Sequence, residues 1–174
     1  MIARLFIAIP LPENVINIVR EYQSMLSEDF RPVRIDQVHL SIAFLGELLG
    51  SEDIVSKLQK VRYNKFNLKT KGYGFFPSDK KIRVIWIGLE ENQDFMNLQH
   101  DTRKNFNFRE KLMPHITIAR AKSLITDNET HWKNTLLKIK YDEAEFIVDR
   151  FILFESVPCP KGYEHKELAV FESE

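Results

Sequence analysis

Two five-residue runs share one pattern. His39-Leu40-Ser41-Ile42-Ala43 and His115-Ile116-Thr117-Ile118-Ala119 both read histidine, apolar, hydroxyl, isoleucine, alanine, and they stand 76 residues apart (115 − 39). A phosphodiester displacement needs a base for the attacking oxygen, an acid for the leaving oxygen, and donors on the nonbridging oxygens. Two imidazoles and two hydroxyls meet that list. Imidazole titrates near ~6.5, so one ring can be neutral while the other carries a proton. A hydroxyl binds a phosphate oxygen without adding charge that competes for that proton. A single such histidine would read as a packed, hydrogen-bonded side chain; the repetition of the whole pattern points to chemistry.

Other chemistries are poorly supplied. Two histidines on adjacent strands could hold zinc, but no third ligand is indicated. His100, His131 and His165 lie in helical or loop contexts without ligand spacing and read as surface or satisfied residues, and Ser41 and Thr117 are poor zinc ligands. The single Cys159 excludes an internal disulfide and a cysteine cluster, and fits a reducing compartment. The six glycines are scattered, with no Gly-x-Ser-x-Gly elbow and no phosphate-cradling loop, which argues against a serine hydrolase, ATP hydrolysis and dinucleotide chemistry.

The elements that must position the two runs follow from periodicity. Each run alternates as a strand does, placing His39, Ser41 and Ala43 on one face and Leu40 and Ile42 on the other; the second copy sorts identically. Residues 2–9 form an apolar run ended by Pro10, which predicts a strand buried on both faces. From Pro12 a helix is predicted to about Glu28, with Val15, Ile18, Tyr22 and Met25 along one stripe. Ser51 is placed to cap a second helix carrying Ile54, Leu58 and Val61. Phe66–Phe76 and Ile82–Leu89 read as a hairpin with a basic tip, Pro77 to Lys81. Asn92 is placed to cap a third helix with Phe95, Leu98 and Phe106, and Thr126 or Asp127 a fourth with Trp132, Leu136 and Leu137 inward. A long strand near Glu145–Phe154, a loop over 158–163 and a strand near Glu167–Phe171 complete the chain.

The order strand, helix, His strand occurs twice, with 33 residues from Phe6 to His39 and 30 from Ile85 to His115. Residues 1–174 are therefore expected to form a single domain with an internal duplication: two pseudo-twofold lobes facing each other across a crevice. A hydrophobic fraction of 44% beside 29% charged residues is globular composition. Lys plus Arg and Asp plus Glu both number 25, so no net basic field announces a nucleic-acid partner. The apolar stretch Leu5–Ile9 is too short for a signal peptide or a membrane span, and a cytoplasmic protein without membrane contact is expected.

Four blocks together carry a family likeness: Arg4 to Ile9, His39-Leu40-Ser41-Ile42-Ala43-Phe44-Leu45-Gly46-Glu47, Arg83 to Gly88, and Pro114-His115-Ile116-Thr117-Ile118-Ala119-Arg120. The chain resembles the 2H phosphoesterases and, within them, the RNA 2′,3′-cyclic phosphodiesterases, also called 2′-5′ RNA ligases. The resemblance implies an α+β, bilobal fold of mainly antiparallel sheet, with helices packed outside and a central cleft. It implies a site with no metal and no cofactor that hydrolyses a terminal 2′,3′-cyclic phosphate to a 2′-phosphate, with reversible 2′-5′ ligation in vitro. His39 would be the proton donor to the leaving 3′ oxygen and His115 the proton acceptor from water. Ser41, Thr117 and Arg120 would bind phosphate, and Phe44 would stack on the terminal base.

By the same resemblance, partners would be RNA ends bearing the cyclic phosphate or small cyclic nucleotides, bound by a monomer. The alternative is a non-catalytic nucleotide or RNA-end binding module that kept the cleft. Two departures stand out: Ser41 where threonine is usual, and Ile35 where an aromatic is frequent. Strict alternation also sets Phe44 and Arg120, each five residues after its histidine, on the apolar face. Either the strands bulge there, or Phe44 is core and Arg120 reaches around an edge. Lys69, Lys71, Lys80, Lys81 and Arg83, and separately Arg31 and Arg34, are locally basic and read as solvated faces that would steer RNA if they border the crevice. Tyr163 is a candidate for its rim.

Overall fold

The computed structural model describes residues 2–106, 112–126, 143–160 and 162–174. Among them are nine strands and three α-helices. Strand β1 (Ile2–Pro10) is apolar on both faces because it lies between two other strands with material above and below. Pro10, which cannot continue a ladder, ends it opposite His39. Helix α1 (Glu13–Ser24) buries Val15, Ile16, Ile18, Val19 and Tyr22. It stops four residues short of the predicted Glu28. The Met25 and Leu26 amides bond to Tyr22 and Gln23 carbonyls, tightening the last turn so that the chain can enter β2 (Phe30–Pro32).

A short 3₁₀ turn (Ile35–Gln37) delivers the chain to β3 (His39–Leu49). Helix α2 (Glu52–Leu58) follows, without the expected side-chain cap from Ser51. The hairpin β4 (Phe66–Pro77) and β5 (Lys81–Leu89) forms as predicted. In α3 (Gln93–Arg103) the Asn92 Oδ1 accepts the Phe95 amide at 2.9 Å, a cap that the sequence foretold, although Phe106 falls beyond the helix end. Strand β6 (Ile116–Thr126) carries the second motif. The predicted fourth helix lies outside the described residues.

The last third differs from expectation in two ways. The single strand predicted near Glu145–Phe154 is two, β7 (Glu145–Val148) and β8 (Arg150–Cys159), which pair with β4 and β1 respectively. The break at Asp149 sends one chain segment to each half of the sheet. The predicted loop over 158–163 is mostly ladder: β9 (Gly162–Glu172) pairs with β8 from Cys159–Gly162 onward, and Gly162 supplies the positive φ that the tight turn needs.

All pairings are antiparallel, in the order β7-β4-β5-β6-β3-β1-β8-β9, with β2 beside β6. The two four-strand halves meet where β3 touches β6, at the pair Leu40–Ile116. One face of this sheet packs on the helices: Leu5, Ile7, Ile9, Leu40, Ile42, Ile85, Ile87, Ile116 and Ile118 join Val19, Tyr22, Leu58, Phe95 and Leu98 in one apolar cluster. The fold is thus α+β, with the opposite face left for function. No helix among the described residues is long and apolar enough to cross a membrane.

Candidate active site

Opposed residues of an antiparallel pair point to the same face. Leu40 and Ile116 are opposed and both fully buried in the core. One step along each strand, the register sets His39 across from Thr117 and Ser41 across from His115, all on the other face. The seam between the halves therefore carries two imidazoles and two hydroxyls in a compact block. Ser41, 6% exposed, lies at its floor.

Both imidazoles are anchored alike. His39 Nδ1 bonds to the Gln37 carbonyl and His115 Nδ1 to the Met113 carbonyl, each at 2.7 Å and each two residues back. A carbonyl only accepts, so Nδ1 carries the proton and Nε2 is the exchangeable position. Burial lowers the proton affinity of both rings. His39 falls to about 4, with His165, His115 and Arg120 adding to the effect against the opposing bond to Gln37. His115 is lowered by burial and by Arg120, against the bond to Met113.

The fifth position of each motif is decided by a bulge. On β1, Ile7 pairs with Ala43 and Ala8 with Ser41, which leaves Ile42 without a counterpart. On β5, Ile85 pairs with Ala119 and Trp86 with Thr117, which leaves Ile118 without one. Each extra residue is the third after its histidine, and each resets the alternation. Ile42 with Ala43 and Ile118 with Ala119 all face the core. Phe44 and Arg120 are thereby returned to the histidine face, which corrects the placement that strict alternation gives. Phe44 is 55% exposed, so it is not core, and its ring lies 6.2 Å from that of Phe6. Arg120 is exposed, registers with Val84, and acts electrostatically on both histidines. The bulged Ile118 carbonyl is satisfied twice, by the Val33 amide and by Gln23 Nε2, both at 2.9 Å.

Aromatic rings wall the block on both sides. Phe6 lies 4.9 Å from His39, 5.1 Å from Phe154 and 4.7 Å from His165, and His165 lies 5.4 Å from His39. On the other half, Phe76 meets His115 edge-on at 4.9 Å, and Trp86 packs against Phe76 at 5.2 Å. Sequence reasoning missed these residues. The available signal was the second apolar face of the Phe6 strand. His165 was expected in a loop; it stands on β9, half-buried, its proton affinity lowered by burial with Asp36 and Arg34 acting in opposite senses.

Tyr163 is at the β8–β9 turn, its ring 5.4 Å from the Arg4 guanidinium carbon and its carbonyl bonded by Gln37. Ile35 lies in the adjoining 3₁₀ turn. The hairpin tip is remote: Lys81 registers with Thr126, at the end of β6 away from His115. Lys69 is paired with Glu143 and Glu90, and Arg34 with Asp36. Among the described residues no group of three His, Cys, Asp or Glu side chains converges as a metal site.

Residues 9–86 match the family described as LigT like Phosphoesterase. An RNA 2′,3′-cyclic phosphodiesterase of Thermotoga maritima is 31% identical over 95% of this chain and 92% of its own length. The crystal structure of a Thermus thermophilus protein superposes with a TM-score of 0.79 at 25% identity, covering 97% of both chains. That of Escherichia coli LigT complexed with 3′-AMP gives 0.79 at 22% identity over 99% of both, which bears on the fold alone. With a relative of this similarity spanning nearly the whole chain, the protein belongs to the RNA 2′,3′-cyclic phosphodiesterase family of LigT-like, or 2H, phosphoesterases.

Proposed function

We propose that this chain hydrolyses a terminal RNA 2′,3′-cyclic phosphate to a 2′-phosphate without a metal, by acid and base catalysis from its two motif histidines. The observation that carries the reading is the paired anchoring of His39 and His115, which leaves both Nε2 atoms on one face beside Ser41 and Thr117. Water attacks phosphorus as the bond to the 3′ oxygen breaks. His115 takes the water proton, and His39 gives one to the departing 3′ oxygen. Ser41, Thr117 and Arg120 hold the nonbridging oxygens, and Phe44 stacks on the terminal base. Substituting the 5′-hydroxyl of a second RNA for water gives 2′-5′ ligation by the same two transfers. The Escherichia coli relative was crystallised in complex with 3′-AMP, in keeping with a nucleotide ligand.

Burial lowers both rings, His39 to about 4, so in the free protein the single proton of the pair rests mainly on His115. The proposed roles require bound phosphate to place that proton on His39, whose low affinity then makes it a ready donor. We further read residues 1–174 as one domain built by duplication. The matched bulges and the matched Nδ1 anchors of the two histidines support this.

The test is to incubate an oligonucleotide ending in a 2′,3′-cyclic phosphate with the protein in excess EDTA and to identify the product end by mass and phosphatase sensitivity. A 2′-phosphate is expected. No product identifies the chain as a binding module, and activity lost to the chelator identifies a metal enzyme.

The pH profile follows from the same shifts. The active form carries one proton on the histidine pair, and both pKa values are lowered, so in the free protein this form is most populated at acid pH. The kcat/KM profile is expected to be a bell with its acid limb near 4 and its maximum below the ordinary imidazole value of ~6.5. Bound phosphate is anionic and favours the protonated rings, so the kcat maximum lies at higher pH than the kcat/KM maximum. Coincident maxima would contradict these assignments.

A further inference from the structure

The site described so far takes one phosphate, yet the surface beside it is built for another. Strand β2 lies along β6 with Phe30 opposite Ala121, Arg31 opposite Arg120 and Pro32 opposite Ala119. Phe30 and Ala119 face the core, so Arg31 and Arg120 project together on the histidine face. Both are exposed, and among the described residues neither has a carboxylate partner. The contrast with nearby Arg34, which is paired with Asp36, is direct.

Like charges directly opposed across an antiparallel ladder destabilise it. Here the backbone leaves them no escape. The Val33 amide is bonded to the Ile118 carbonyl at 2.9 Å, Gln23 Nε2 to the Val33 carbonyl at 2.7 Å, and the Lys122 amide to the Asp29 carbonyl at 2.8 Å, which pins β2 at both ends. Anionic groups bound along this pair offset the repulsion, and each guanidinium fork matches the oxygens of a phosphate.

On a strand ending in a 2′,3′-cyclic phosphate, any second phosphate lies on the 5′ side of the terminal nucleoside. We propose that Arg31, set beside Arg120, forms a second phosphate subsite that holds this internucleotide phosphodiester, making the protein selective for oligonucleotide ends over mononucleotides. The inference rests on the reading of the catalytic site given above, with Arg120 on the cyclic phosphate and Arg31 one strand further out.

The experiment compares a mononucleoside 2′,3′-cyclic phosphate, which has one phosphate, with a dinucleotide ending in the cyclic phosphate, which has two. Wild-type kcat/KM is expected to favour the dinucleotide. Arg31→Ala should remove about tenfold of that preference, the order of one charge-assisted contact at an exposed site, and leave the mononucleotide unchanged. Arg31→Lys should restore part of it. Calorimetric binding of a 3′-AMP probe and of a dinucleotide with a 3′-phosphate repeats the comparison without turnover, so a failure of the proposed activity leaves the subsite testable. In that assay the log–log salt slope for the dinucleotide should fall by roughly 0.7 in Arg31→Ala, one phosphate's share on a single strand. Equal effects on both ligands, or no effect on either, would overturn the proposal.

Discussion

Replacing either His39 or His115 by alanine is expected to lower turnover by ~10²–10⁴-fold, the usual contribution of one positioned acid or base. Each ring is held by a single bond to a carbonyl two residues back and lies on the face away from the core. Truncation therefore removes a proton carrier without opening a core cavity, and thermal unfolding should stay close to that of the wild type. The double variant should be little worse than the poorer single one, because acid and base serve the same transition state. The pH profiles add a check of roles. Loss of the acid should abolish the alkaline limb of the kcat/KM bell, and loss of the base the acid limb. A leaving group that needs no protonation should rescue the variant lacking the acid. Near-normal turnover in either single variant would rule out the two-histidine mechanism.

The second large effect is on stability. Gly74 registers with Trp86 on the β4–β5 hairpin, and the indole lies directly over it. A Cβ at position 74 would sit 2.2 Å from Trp86 Cζ2, 2.5 Å from Cη2 and 2.7 Å from Cε2. At Gly88, a Cβ would be 2.6 Å from the Lys71 carbonyl oxygen and 3.3 Å from Trp86 Cζ3, so the ring is hemmed in on that side too. Gly74→Ala must tilt the indole out of place, at a cost of ~1–3 kcal/mol typical of overpacking. For a chain of this size that lowers Tm by a few degrees per kcal/mol. Trp86 packs on Phe76, and Phe76 on His115, so the variant should also raise KM. Combining Gly74→Ala with Trp86→Leu, which removes the obstructing ring, should recover stability while KM stays raised. A single variant as stable as the wild type would show that the glycine is not required by the contact.

Much of this architecture was readable in the residues. The apolar run before Pro10, the Val15–Tyr22 stripe and the Asn92 cap depend on local periodicity and local hydrogen bonding, and they appear where periodicity puts them. The failures are non-local. Nothing in 145–154 says that the segment serves two different partner strands, because that depends on where β4 and β1 lie. The 158–163 stretch, with its prolines and glycine, has loop composition, yet the ladder with β8 recruits most of it and brings His165 to the wall beside His39.

The duplicated motif by itself determined that two histidines and two hydroxyls would share one face of two strands, since the period-2 geometry of a strand requires it. It also determined that the leucine and isoleucines between them would form the core. What it left open was the fifth position. Whether Phe44 and Arg120 reach the histidine face depends on which residue is skipped when β3 pairs with β1 and β6 with β5, a property of two strands at once. The same holds for Arg31: only the docking of β2 on β6 makes it a neighbour of Arg120, 89 residues away (120 − 31) in the chain. Composition and spacing thus specified the two histidines and two hydroxyls, while strand pairing decided what surrounds them.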